Sequence, residues 1–133
     1  MQQIGEVAES VGLSLRTIRH YEDVGLVVPS QRSPGGFRLY AEDEVQRLRV
    51  VKQLKPLDFS LEEVRDLLDA MDKVGRPGPA RERTEAIQRL SLYATLAQDR
   101  CDRLGAQLRS AETLAGDLRR AVLAAHGEPV RRP

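Results

Sequence analysis

Residues 4–26 read IGEVAESVGLSLRTIRHYEDVGL, and this stretch decides the fold. Ile4, Val7, Ala8 and Val11 recur at i, i+3, i+4 and i+7, one apolar face of a short helix that Gly12 stops. Ser14 then stands as the N-cap of a second helix over residues 14–24, closed by Gly25. Only Gly12 and Leu13 separate the two helices, and so short a turn containing a glycine marks a helix-turn-helix. The second helix is expected to bury Leu15, Ile18 and part of Tyr21, and to present Arg16, Thr17, Arg19 and His20 on its outer side.

Downstream, Val27-Val28-Pro29 and Phe37-Arg38-Leu39-Tyr40 flank a turn rich in Pro and Gly, Ser33-Pro34-Gly35-Gly36. This reads as a β-hairpin with Phe37 and Leu39 on one face, Arg38 and Tyr40 on the other. A third helix starts near Ala41, with Glu42, Asp43 and Glu44 suited to its N-terminal dipole. Val45, Leu48, Val51 and Leu54 form its inner stripe, and Pro56 limits its end. Ser60-Leu61-Glu62-Glu63 is a capping box that opens a fourth helix with Leu61, Val64, Leu67, Leu68 and Met71 inward.

Two prolines and two glycines then fall within five residues, Gly75-Arg76-Pro77-Gly78-Pro79. Beyond this break Ile87, Leu90, Ala94, Ala97, Cys101, Leu104, Leu108, Ala111, Ala115, Leu118 and Val122 step by 3 and 4 throughout. That is a sustained coiled-coil seam. One helix over residues 80–125 would be about 69 Å long. It cannot bury such a stripe against a head of this size, so it calls for a partner helix, most simply its copy in a homodimer. The expected organisation is a head over 1–74, a linker over 75–79, a dimerisation helix over 80–125 and a short tail over 126–133.

Composition narrows the function. The chain has 133 residues, 41% hydrophobic, 31% charged and only 4% aromatic. No apolar run approaches a membrane span, and the N-terminus has neither the basic nor the apolar region of a secretion signal. One cysteine cannot form an internal disulfide, which points to a reducing, cytoplasmic setting. With two histidines beside it, an all-Cys/His zinc site within one chain is not expected. Residues 1–75 hold 10 Lys/Arg against 13 Asp/Glu, yet residues 14–40 hold Arg16, Arg19, Arg32 and Arg38 against only Glu22 and Asp23. A small basic surface on an acidic domain suits sequence-selective DNA binding. No Ser/His/Asp set, phosphate-cradling glycine loop or paired carboxylates in a cleft suggests an enzyme.

These motifs, in this order, resemble the MerR family of bacterial transcription regulators. The likeness is carried by Ile4-Gly5-Glu6-Val7-Ala8, Val11-Gly12-Leu13-Ser14, Arg16-Thr17-Ile18-Arg19-His20-Tyr21-Glu22 and Gly25-Leu26. Gly35-Gly36-Phe37-Arg38-Leu39-Tyr40 looks like the family's wing, and Phe59-Ser60-Leu61-Glu62-Glu63-Val64 like the start of its fourth helix. The resemblance implies a mainly α fold: a winged helix-turn-helix DNA-binding head of four helices and a β-hairpin wing, then a long antiparallel dimerisation coiled coil. It implies a homodimer on an inverted-repeat operator in double-stranded promoter DNA. The dimer would distort an overlong spacer so that RNA polymerase can use both promoter elements, since bending a short site costs on the order of 1–6 kcal/mol and new contacts can offset it.

On that resemblance Arg16 and Arg19 reach the major groove, where arginine pairs with guanine. Ser14 and Thr17 contact phosphate near the helix start, His20 contacts backbone or packs, and Tyr21 packs with its ring while its hydroxyl meets the backbone. Arg32, Arg38 and Tyr40 put the wing on flanking phosphate or in the minor groove, and Gly35 and Gly36 let it turn and approach. Phe37 stands where Tyr is commoner, which removes a hydroxyl from the wing. Asp58 stands where glycine is usual, in a turn that asks for a left-handed residue. Metal-sensing relatives carry cysteines near both ends of the long helix. Neither Arg81–Thr84 nor His126–Pro133 offers one, so no metal site and no cofactor are expected. Few residues follow the coil, which leaves no expected room for a ligand domain; the regulator is expected to be either constitutive or bound by a small apolar or aromatic effector between head and coil. The alternative is an architectural, recombination-directionality or protein-interaction factor with the same motifs and no promoter remodelling.

Overall fold

The computed structural model describes residues 1–127, so most of the expected tail, residues 128–133, lies outside the described residues. The elements run β1 (Gln2–Gln3), α1 (Ile4–Val11), α2 (Leu15–Asp23), β2 (Gln31–Arg32), β3 (Arg38–Tyr40), α3 (Glu42–Leu54), a 3-10 turn (Lys55–Leu57), α4 (Leu61–Gly75) and α5 (Ala80–Gly127). The chain is mainly helical, as expected. The sheet has three strands rather than the two of a hairpin, in the order β1-β3-β2, both pairs antiparallel. Gln2 faces Tyr40 across one pair and Arg32 faces Arg38 across the other.

Local chemistry explains the element ends. Gly12 ends α1 with φ 80°, and its N–H donates to the Ala8 carbonyl at 2.9 Å. The left-handed value excludes most side chains there, and a Cβ would also meet Lys52 Nζ at 2.5 Å. That ammonium donates to the Val11 carbonyl at 2.8 Å, so α3 caps α1. Ser60 accepts from the Glu63 N–H and Glu63 returns the bond to the Ser60 N–H, the reciprocal cap expected for α4. Asp58, at φ 59°, is the one non-glycine residue with positive φ among the described residues.

A first compact unit runs Met1–Tyr93 and takes in the opening turns of α5; a second begins at Ala94. The first holds two apolar clusters. Val7, Val11, Ile18, Val27, Tyr40, Val45 and Leu48 pack α1, α2, β3 and α3 together. Leu26, Val51, Leu54, Val64, Leu67 and Leu68 join α3 to α4, and Leu90 and Tyr93 of α5 pack against them. Tyr21 touches both clusters. All four inner residues expected of α3 are buried.

Several expected core positions move. Leu15, Leu61 and Met71 are exposed, and Ala70 takes the inward place near the end of α4. Val27-Val28-Pro29 forms no strand: Val27 plugs the first cluster from a loop while Val28 faces out. Of the hairpin's two faces, the one with Tyr40 turns inward, where Tyr40 packs against Val7, Val45 and Leu48, while Phe37 is exposed. On α5, Ala86 is buried and Ile87 exposed, while Leu90, expected in the dimer seam, packs on its own head. The cause is a polar clamp: Arg89 bonds Asp66 and Asp69, and the Tyr93 hydroxyl donates to Asp66 at 2.7 Å. This rolls the first turns of α5 onto α4. No helix among the described residues is long and apolar enough to cross a membrane.

Candidate nucleic-acid interface

The sequence Gly12-Leu13-Ser14 turns the chain between α1 and α2 and so sets the recognition helix. The Ser14 Oγ accepts from the Thr17 N–H at 3.1 Å and sits 2.8 Å from the Thr17 hydroxyl. Both hydroxyls expected to touch phosphate therefore meet at the first turn of α2, and the cap occupies one lone pair of Ser14. Ile18 is fully buried, which anchors α2 and leaves Arg16, Arg19 and His20 exposed. Arg16, Thr17, His20 and Tyr21 line one cleft of about 410 Å³. Lys55, from the 3-10 turn, lines the same cleft. His20 and Tyr21 hold their rings 6.0 Å apart and tilted.

Lys55 was not anticipated. Its only sequence signal is a cation just beyond the apolar stripe of α3 and just before Pro56, and nothing local says that it approaches Arg16. The tertiary fold adds it as a third cation beside the recognition helix.

The wing is built by its turn. Ser33 N–H donates to the Phe37 carbonyl and Gly36 N–H to the Ser33 carbonyl, both at 2.8 Å, while Phe37 N–H donates to Ser33 Oγ at 3.1 Å. Gly36 holds φ 83°. At Gly35 a Cβ would lie 3.1 Å from the Phe37 ring, so the ring lies over a bare backbone. Phe37 is 62% exposed, an apolar ring at the wing surface. Arg32 is exposed and donates to the Gly36 carbonyl at 3.1 Å, which sets its guanidinium along the turn.

Two wing residues are not free. Tyr40 has no exposed surface, and its hydroxyl donates to Glu22 at 2.9 Å. This corrects its place among residues expected to meet DNA directly: its side chain lies in the core. Arg38 is partly buried and donates from Nε to Glu22 at 2.8 Å. The Glu22 hydrogen bond and charge hold the Arg38 guanidinium above its ordinary pKa. Burial, and then the same carboxylate, push the Tyr40 phenol well up. Glu22 had been read only as an opposing charge. The contact that joins it to the wing spans 16 residues and has no local signature.

The seam residues from Ala94 to Val122 lie in the second unit. Leu104, Leu108, Leu118 and Val122 are exposed, and so is Cys101. A row of large apolar side chains left to solvent is a surface that asks for cover. No group of three or more His, Cys, Asp or Glu side chains among the described residues is placed to hold a metal ion.

Comparison with known proteins adds the family. The chain matches the family model described as MerR HTH family regulatory protein over residues 3–71, and the one described as MerR, DNA binding over residues 45–121. It is 38% identical over 98 residues to the nodulation protein NolA of Bradyrhizobium elkanii, covering 74% of this chain and 44% of that protein. It is 44% identical over 66 residues to the HTH-type transcriptional activator TipA of Streptomyces coelicolor, covering 50% of this chain and 26% of that one. The chain thus spans less than half the length of these relatives. Its fold is similar to that of HiNmlR, a MerR family regulator lacking the sensor domain and solved bound to promoter DNA. The TM-score is 0.74 at 22% identity, over 94% of this chain and 89% of that one.

Proposed function

This chain belongs to the MerR family of helix-turn-helix regulatory proteins, and from that premise we propose that it works as a homodimer on an inverted-repeat promoter operator. Each head would read one half-site, and the pair would regulate by bending and untwisting the DNA between them for RNA polymerase. The observation that carries this reading is the exposed face of α2, where Arg16 and His20 share one cleft with Lys55 of the 3-10 turn and Arg19 stands exposed on the same helix. An α-helix fits the major groove, and arginine there discriminates guanine, while lysine beside it neutralises phosphate.

The functional division is a DNA-binding head over 1–74, a linker over 75–79 and a dimerisation helix over 80–125. Pairing of α5 with a second copy is supported by the exposed apolar row from Leu104 to Val122, and its antiparallel sense rests on the family resemblance. Within these 133 residues the single thiol of Cys101 leaves a thiolate cage without its donors, so the regulator is read as one without the cysteine metal site of its relatives. Its work at a promoter would place it in the bacterial cytoplasm. The test is a footprint on the DNA upstream of its own gene, aligned with the mapped transcription start. Protection of an overlong spacer between the promoter elements supports activation by distortion. Protection far from any promoter would replace this reading with an architectural role.

A further inference from the structure

Glu22 lies in the last turn of the recognition helix α2, and its carboxylate reaches the wing. Arg38 Nε lies 2.8 Å from both oxygens, and one of them also accepts from the Tyr40 hydroxyl at 2.9 Å. The Glu22 side chain is only 15% exposed and that of Arg38 29%. Tyr40, at the inner end of the same strand as Arg38, is fully buried, so its hydroxyl holds the carboxylate from the core. Arg38 is thus compensated before any DNA arrives, unlike Arg16 and Arg19, which stand exposed.

Resting on the DNA-binding reading above, we propose that Glu22 is a specificity-determining positioning residue. It withholds Arg38 from phosphate on arbitrary DNA, and yields it only when seating on the operator presses a phosphate against the wing. The physical basis is an exchange of one anionic partner for another. An arginine already held by a carboxylate adds nothing to the release of counterions from DNA until that pair opens. Moving Arg38 to a phosphate leaves the Glu22 carboxylate with the Tyr40 hydroxyl alone, a cost offset only where the rest of the interface brings the phosphate to hydrogen-bond distance. A loosely bound, non-specific complex does not supply that distance. The contact is therefore counted on the operator and not elsewhere, which widens the gap between the two affinities.

The experiment measures affinity against salt on two duplexes, the footprinted operator and a scrambled sequence of the same length. Arg38→Gln is expected to flatten the operator slope of log K against log salt by about 0.9 and to leave the scrambled slope unchanged, one phosphate contact being lost only where it was made. Glu22→Gln keeps the shape and the acceptor for Tyr40 but removes the charge. It should steepen the scrambled slope by about 0.9, tightening non-specific binding by about eightfold at about 0.1 M salt. The double variant should return to the Arg38→Gln values. A purely structural Glu22 would weaken both duplexes and leave the slopes alone. The proposal is overturned if Arg38→Gln flattens both slopes alike, or if folded Glu22→Gln leaves the scrambled slope unchanged. Should Glu22→Gln fail to fold, Arg38→Gln decides alone. A wild-type protein that does not distinguish the two duplexes sinks the operator reading instead, and the scrambled-duplex slopes still judge Glu22.

Discussion

Arg19 stands exposed on α2, about 100° round the helix from the buried Ile18. Arg19→Ala should lower operator affinity about tenfold to a hundredfold, since one arginine–guanine pair discriminates by about 1–3 kcal/mol. Fluorescence anisotropy on the operator checks the loss, and sedimentation should show the oligomer intact. An unchanged affinity removes Arg19 from the interface. The exposed arginines were legible because a period of 3.6 residues turns them off the buried Ile18 side. Tyr40, Glu22 and Lys55 were not. A three-residue strand is too short to show which of its faces is inner, and the pairing that settles it comes from Gln2 and Gln3, polar residues with no strand signal. The partners of Glu22 and Lys55 come from turns of chain brought near only by folding.

Between elements, the α4–α5 clamp is electrostatic as well as apolar. The Tyr93 hydroxyl, and then Arg89, hold Asp66 below its ordinary pKa of 3.8; Lys73, ahead of Arg89, does the same for Asp69. Groups whose folded pKa is depressed contribute stability that is full above the unfolded value and is lost as pH falls through the folded one. Protection of the amides in the first turns of α5, taken against the intrinsic exchange rate at each pH, should therefore be full at neutral pH and fall below about pH 4, before that of the α1–α3 core. The clamp has an alkaline edge too. The bond to Asp66 pushes the Tyr93 phenol up to about 12, so its contribution is intact below pH 10 and is lost toward 12. A second element-scale test lies in the α3–α4 turn. Asp58→Gly removes the left-handed penalty at φ 59° and should raise stability by up to about 1 kcal/mol in urea unfolding. Here the sequence was informative: Pro56 limits α3, Asp58 takes the left-handed place expected of it, and the Ser60 box fixes where α4 begins, while the 3-10 geometry of Lys55–Leu57 was not announced.

At the scale of the whole molecule, the coil is the least self-sufficient part. Leu104→Glu places a charge in the exposed apolar row of α5 and should give monomers in sedimentation, because a buried unpaired carboxylate costs several kcal/mol. A persistent dimer would mean that the seam lies elsewhere on the helix. The heptad pattern was plain in the sequence, but a stripe repeating by 3 and 4 does not say which partner meets each residue, and Leu90 already packs, half-buried, against the head. The Pro/Gly break, for the same reason, is a change of direction and not a seam between separable parts. Anyone wishing to transplant this DNA-reading module onto another dimeriser should cut after Tyr93, where the first compact unit ends. A fragment of residues 1–93 should melt cooperatively as a monomer. One of residues 1–79 gives up Leu90 and Tyr93, leaves the α4 face uncovered, and should be recovered as aggregate. The natural joint for exchanging one half of this regulator thus lies inside an unbroken helix.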